Sequence, residues 1–98
     1  MVTLFVAHRL VSELRVQRRL IIEAGSVGEL LLSVDKQVEG FRDSVCDEIG
    51  RIRANVNVFV NGVNVSSRVD ALSTPLRDSD RVHILPSVAG GTGEVDNE

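Results

Sequence analysis

The segment Val56-Asn57-Val58-Phe59-Val60-Asn61-Gly62-Val63-Asn64-Val65 leaves this chain few folds to choose from. Apolar and polar residues alternate on both sides of Asn61-Gly62, a dipeptide that suits a two-residue turn whose central residues both take positive φ. That turn sets Val60 opposite Val63 and Val58 opposite Val65. The valines, Val56 included, then share one side of a β-hairpin, while Asn57, Phe59 and Asn64 share the other. A hairpin with one all-valine side needs a second layer to cover it.

The covering layer is written upstream. Ser26 stands three residues before Glu29, the spacing of a capping box, and Val27, Leu30, Leu31, Val34 and Val38 recur at helical intervals until Gly40. This predicts one amphipathic helix laid across a sheet, with Asp35, Lys36 and Glu39 in water. Before it, Val2, Leu4 and Val6 alternate with Thr3 and Phe5, and Leu14, Val16, Leu20 and Ile22 share a phase, so residues 2–7 and 14–22 read as an antiparallel strand pair. Phe41, Val45, Ile49 and Ile52 have the spacing of a helical continuation, but Gly50 and the scattered charges argue for a turn followed by a short edge segment at 51–53. Leu72 and Leu76 are expected to anchor a crossover bent at Thr74-Pro75, and Asp78-Ser79-Asp80 turns the chain into a final strand from Arg81.

The order of hairpin, helix, hairpin, long crossover and last strand predicts an α+β fold of the β-grasp, ubiquitin-like type. It has a mixed sheet with one main helix packed across it, and the last strand lies between the first and third. At 98 residues the chain is one domain, with residues 1–88 as the β-grasp unit and residues 89–98 as a flexible tail. In the last strand, Val82 and Ile84 alternate with Arg81, His83 and Leu85, and Pro86 then removes an amide that the sheet would need. Beyond it, Val88-Ala89-Gly90-Gly91 carries no bulky side chain after Val88, so it suits a narrow cleft in another protein. If the valine-rich sides meet the helix, Phe5, Phe59 and Leu85 point together to the helix-free side as an apolar docking patch.

Composition narrows the function further. The net charge of −3 comes entirely from Glu94, Asp96 and Glu98, because residues 1–91 hold eleven acidic and eleven basic side chains. A neutral body with three phenylalanines as its only aromatics gives no footprint for nucleic acid. No apolar run approaches the ~20 residues that span a bilayer, and the start lacks a basic leader, so a cytoplasmic protein is expected, with no membrane partner. Cys46 is the one cysteine and reads as packing, not as a nucleophile. His8 and His83 lack the companions of a metal site, and His83 reads as a surface-strand residue. Arg15, Gln17, Arg18 and Arg19 form a basic cluster that reads as a charged guard on an edge strand. Gly90-Gly91-Thr92-Gly93 is not a phosphate loop, since no helix follows it.

The residues also carry a family resemblance. Val58-Phe59-Val60-Asn61-Gly62, then the segment from Leu72 to Asp80, then Val88-Ala89-Gly90-Gly91, together with Ser26-Val27-Gly28-Glu29-Leu30, resemble the molybdopterin-synthase small-subunit and thiamine-type sulfur carriers (MoaD/ThiS). The resemblance implies a carrier and not an enzyme, with no bound cofactor. An E1-like adenylating partner uses ATP to activate the carboxylate of the terminal glycine, and a sulfur donor converts it to a thiocarboxylate. An acceptor synthase then receives the sulfur for molybdopterin, thiamine, cysteine or tRNA thiolation. By residue matching, Gly91 is the modified residue, Gly90 its flexible neighbour, and Phe5, Phe59 and Leu85 the partner contact. The chain departs from the simplest carriers in the seven residues after Gly91, which lock its carbonyl in an amide. Carrier chemistry therefore requires a peptidase, for which a JAMM-type metalloprotease is the candidate; otherwise this copy does not carry sulfur. Two other readings stand beside it: a modifier conjugated through Gly91 to a target lysine, and an interaction module whose extension is permanent.

Overall fold

The structure is a computed structural model and describes residues 1–7 and 18–86. The second half of the expected 14–22 strand is seen as β2, Arg19–Ile22, whereas Leu14 and Val16 lie outside the described residues. β1, Val2–Val6, pairs with β2 in antiparallel register, Val2 opposite Ile22 and Phe5 opposite Arg19. The hairpin signalled by Asn61-Gly62 joins β3, Val56–Val60, to β4, Val63–Asn64, with φ of 51° at Asn61 and 86° at Gly62. The final strand β5, Arg81–Pro86, lies parallel to β1 and antiparallel to β3, so the sheet runs β2-β1-β5-β3-β4.

Helix α1, Val27–Gln37, crosses one face of that sheet. Ser26 Oγ accepts the Glu29 N–H at 3.2 Å, and the Glu29 carboxylate accepts the Gly25 N–H at 2.8 Å. The return arm of the capping box thus reaches one residue further back than its usual target, the amide of the cap itself. Val27, Leu30, Leu31 and Val34 are fully buried and meet Val2, Leu4, Val6, Val56, Val58, Val82 and Ile84 from the sheet. Each of these is an inward position of its strand, as the alternation requires. Truncating one such leucine to alanine typically costs about 2–5 kcal/mol, which makes this layer the main store of stability.

The turn around Gly50 and the edge segment are present, but residues 41–45 before them are helical. Gly40, at φ 92°, turns the chain into a second, five-residue helix α2, Phe41–Val45. Asp35 is half-buried and not simply solvated, because its carboxylate accepts the Arg42 N–H at 3.0 Å and ties α1 to the first turn of α2. Phe41 and Val45 enter the core. The edge segment exists as an isolated bridge between Cys46 and Ile52, while Ile49 at the tip of the intervening turn is exposed. Val63 also departs from expectation. It has the phase of the buried valines but is 53% exposed, since the two-residue β4 carries it beyond the cover of α1.

The crossover is stitched to the helix start. Val27 N–H donates to the Thr74 carbonyl and Leu76 N–H to the Gly25 carbonyl, both at 3.0 Å, which buries Leu76 as expected and leaves Leu72 packed against the core edge. Gly28 permits this approach, because a Cβ there would sit 3.1 Å from the Leu72 carbonyl oxygen. The turn at Gly62 is different: a Cβ there meets nothing within 4 Å, so only the backbone would resist it. Gly62→Ala should therefore destabilise the fold by about 1–2 kcal/mol through left-handed strain alone. Urea unfolding should report this as a lower midpoint at unchanged slope.

Candidate partner-docking face

Because Leu4, Val6, Val58, Val60, Val82 and Ile84 point to α1, the residues between them must emerge on the opposite side of the sheet. There the strand register sets Phe5 beside His83 and Phe59 beside His83 from the other flank. The Phe5 and His83 rings stack at 4.6 Å between centroids, 13° from parallel. Aromatic pairs of this kind contribute about 0.5–1.5 kcal/mol beyond the area they bury. Arg19 and Asn64 extend the same row outward, opposite Phe5 and Phe59 respectively.

Neighbouring rows complete the face. Leu85 is 37% exposed, with Asn57 as its partner on β3, and Ala7 follows on from β1 with its N–H donating to the Ile84 carbonyl at 3.1 Å. On the far side of the aromatic row lie Ile21, Thr3 and Arg81, of which Ile21 and Arg81 are exposed. The expected trio of Phe5, Phe59 and Leu85 does share this side. Phe5 and Phe59 are half-buried, Phe5 stacked on His83 and Phe59 in register with His83 on the other flank. His83 itself is the residue that sequence reasoning undervalued. Its phase matches Phe5 and Phe59, but its central place depends on β5 lying between β1 and β3.

The arrangement is an aromatic and apolar sheet face, a candidate contact surface. Among the described residues no cluster of His, Cys, Asp and Glu could hold a metal ion. Cys46 sits at the end of α2, away from this face, and is 1% exposed, and burial pushes its thiol pKa up. Val88, Ala89, Gly90 and Gly91 lie outside the described residues, as do His8, Arg15 and Gln17. What is described is the root of that terminus: Pro86 closes β5 opposite Val56.

The model of the ThiS family matches residues 2–91, almost the whole chain. The chain belongs to the ThiS family. Members of the family are small ubiquitin-like sulfur carriers and modifiers rather than catalysts, and the β-grasp fold is theirs as well. Small archaeal modifier protein 3 of Haloferax volcanii is 35% identical over 66 residues, which are 67% of this chain and 70% of that protein. The crystal structure of the Amycolatopsis orientalis BexX/CysO complex contains a chain of TM-score 0.76 at 25% identity, with 93% of this chain and 100% of that one covered. The Mycobacterium tuberculosis CysO crystal structure gives the same TM-score of 0.76 at 22% identity, over 90% of this chain and 100% of that one, a likeness of fold. No helix among the described residues of this ThiS-family chain is long and apolar enough to cross a membrane.

The aromatic row depends on how β5 is started. Asp80 accepts the Arg77 N–H at 2.8 Å and the Asn61 side-chain amide at 2.9 Å, while the Asn61 carbonyl oxygen accepts the Arg81 N–H at 2.9 Å. The Arg77 amide first, then the Asn61 amide, hold the Asp80 carboxyl below its ordinary value, because both bond to the charged form. A depressed folded-state pKa gives stability that is present above the unfolded value of about 4 and lost as pH falls through the lower folded value. Wild type should therefore be more stable than Asp80→Asn at pH 7. Thermal unfolding temperatures of the two should converge as the pH is lowered below about 4.

Proposed function

We propose that this chain is a sulfur carrier whose Gly91 becomes its reactive end once residues 92–98 are removed by a JAMM-type metalloprotease. The support is family membership, and in particular a family match that ends on Gly91, the second glycine of the pair. An E1-like adenylating enzyme and ATP then join AMP to the freed Gly91 carboxylate with release of pyrophosphate. A sulfur donor displaces AMP to leave a thiocarboxylate, which an acceptor synthase consumes. The carboxylate is a poor electrophile until its oxygen becomes part of a phosphate leaving group, and the developing charge must be met by metal and cationic groups. Those groups belong to the partner.

Phe5, His83, Phe59 and Leu85 are the surface on which the partner docks. A small carrier cannot bring a terminus into an active site at useful concentration unless part of its body is held nearby, and a central aromatic cluster with a polar rim is the usual form of such a hold. That a CysO chain of this fold is found in complex with BexX supports a body-to-body contact of this kind.

The name of the 35% identical archaeal relative, a modifier protein, favours a second reading in which Gly91 ends in an isopeptide with a lysine of a target. Intact mass separates the two. The full-length protein and a form ending at Gly91 are each mixed with the cognate adenylating enzyme, ATP and a sulfur source. Exchange of one oxygen for sulfur on the Gly91-ended form alone is the carrier result. Conjugates of added protein mass, formed when a lysine-bearing acceptor protein is included, are the modifier result, and no change in either form defeats both. In the same assay Phe59→Asp on the Gly91-ended form should lower the activation rate about tenfold or more, although the variant, destabilised by about 1–2 kcal/mol, is still folded at the assay temperature as its unfolding curve will report.

A further inference from the structure

Charge on the sheet face opposite α1 has one sign. Its outward strand positions include two arginines, Arg19 and Arg81, and none of the described acids lies in a strand. Both arginines are exposed, and neither forms an ion pair among the described residues. The acids of the turn before Arg81 are committed elsewhere, Asp78 to the Met1 amino group and Asp80 to Arg77 and Asn61. Glu23 shares the phase of Arg19 but lies four residues on, about 13 Å along an extended chain.

Register fixes where the two cations stand. Arg19 is level with Phe5, and Arg81 with Thr3. Two strand spacings across and two residues along put their Cα atoms about 12 Å apart, both on the β2-β1-β5 side of the face. The β3-β4 side carries neutral amides instead, Asn64 Nδ2 donating to Asn57 Oδ1 at 3.5 Å. From β2 to β4 the central row therefore runs Arg19, Phe5, His83, Phe59, Asn64. Its rings are symmetric about His83, and charge is what distinguishes the two ends.

We propose that the partner surface docking here is apolar where it meets Phe5, His83 and Phe59 and bears carboxylates along one flank only, opposite Arg19 and Arg81. The inference rests on the docking role proposed above, and it adds a direction that the rings do not supply. Apolar contact is non-directional, so a partner turned by half a turn would cover the same three rings with similar area. Turned that way, its carboxylates would face Asn57 and Asn64 and leave both arginines without a counter-charge. Direction matters because β5 leaves the sheet at one end of the face, past Leu85 and Pro86, and a partner docked backwards would have its active site at the wrong end. Arginine suits the task, since its planar fork takes a carboxylate by two parallel hydrogen bonds. Charges at the rim of an interface act chiefly on encounter and register, so the two arginines are specificity determinants and the rings are the hold.

The test is a binding measurement without ATP, so no chemistry at Gly91 enters it. Association and dissociation rates are measured between the cognate adenylating enzyme and the Gly91-ended protein, which keeps every described residue. At low salt the pair Arg19→Glu, Arg81→Glu should slow association about tenfold or more and change dissociation by less than about threefold. The milder pair Arg19→Gln, Arg81→Gln should slow association about threefold. Raising the salt from 0.1 M to 1 M, which shortens the screening length from about 10 Å to about 3 Å, should bring both variants to the wild-type rate. Arg51→Glu with Arg68→Glu makes the same change in net charge in the groove between residues 47–54 and 66–73, away from this face, and should stay within about twofold of wild type. Equal slowing by that control overturns the proposal, by assigning the effect to net charge. If Phe59→Asp weakens binding and the Arg19 and Arg81 variants do not, the docking role stands and this inference alone falls. If none of them weakens binding, both fall.

Discussion

Everything in this fold depends on β5 being accepted between β1 and β3, parallel to one and antiparallel to the other. Parallel neighbours cannot be joined by a tight turn, so the whole of α1, α2 and the second hairpin must be passed before the chain can return beside its own first strand. The return is affordable because that connection is also the cover: α1 buries the inward positions of all three central strands at once. The consequence for function is positional. The strand that leads to the Gly90-Gly91 terminus has a hydrogen-bonded neighbour on each side, so the root at Pro86 is fixed to the best-supported part of the sheet.

The same pairing creates the candidate docking face as a by-product of alternation. Once Val82 and Ile84 are drawn to the helix, His83 has nowhere to go but the other side, and its neighbours at that level are Phe5 and Phe59 by register. Three rings from three strands far apart in sequence become one cluster. None of them is needed by the core, whose layer is complete without them. Large apolar side chains on the sheet face opposite α1, more than the stacking of Phe5 on His83 needs, are the part of the sequence that the core does not explain.

How much of this could be read from the sequence follows from how local each signal is. Asn61-Gly62 fixed the second hairpin because the turn chemistry and the valine alternation lie within ten residues. Ser26 and Glu29 marked the start of α1 for the same reason, although the carboxylate reaches Gly25 and not the cap. Residues 41–55 resisted because α2 is held from outside, by Asp35 seven residues upstream of Arg42 and by the Cys46–Ile52 bridge. Phase placed Val63 on the correct side of its strand, but whether α1 reaches that far is a property of the assembled layers, and it does not. Phe5, Phe59 and Leu85 were legible by phase alone. The importance of His83 was not, because its strand neighbours are set by the topology. Asn61 hides a further role of this kind: besides forming the turn, it bonds Asp80 and Arg81 and so locks the hairpin to the start of β5.

On the carrier reading, the scarcity of reactive side chains becomes as informative as the docking face. An activated acyl group is open to attack by any amine or thiolate within reach, and a carrier bearing such groups near its own terminus would consume itself. This chain has one lysine and one cysteine. Lys36 lies on the exposed side of α1, across the sheet from the docking face, and Cys46 is buried with its thiol held in the protonated, weakly nucleophilic form. Positive charge elsewhere is supplied by arginine, whose guanidinium stays protonated and attacks nothing at neutral pH. A chain whose basic side chains are nearly all arginine suits a protein whose end is made electrophilic by others.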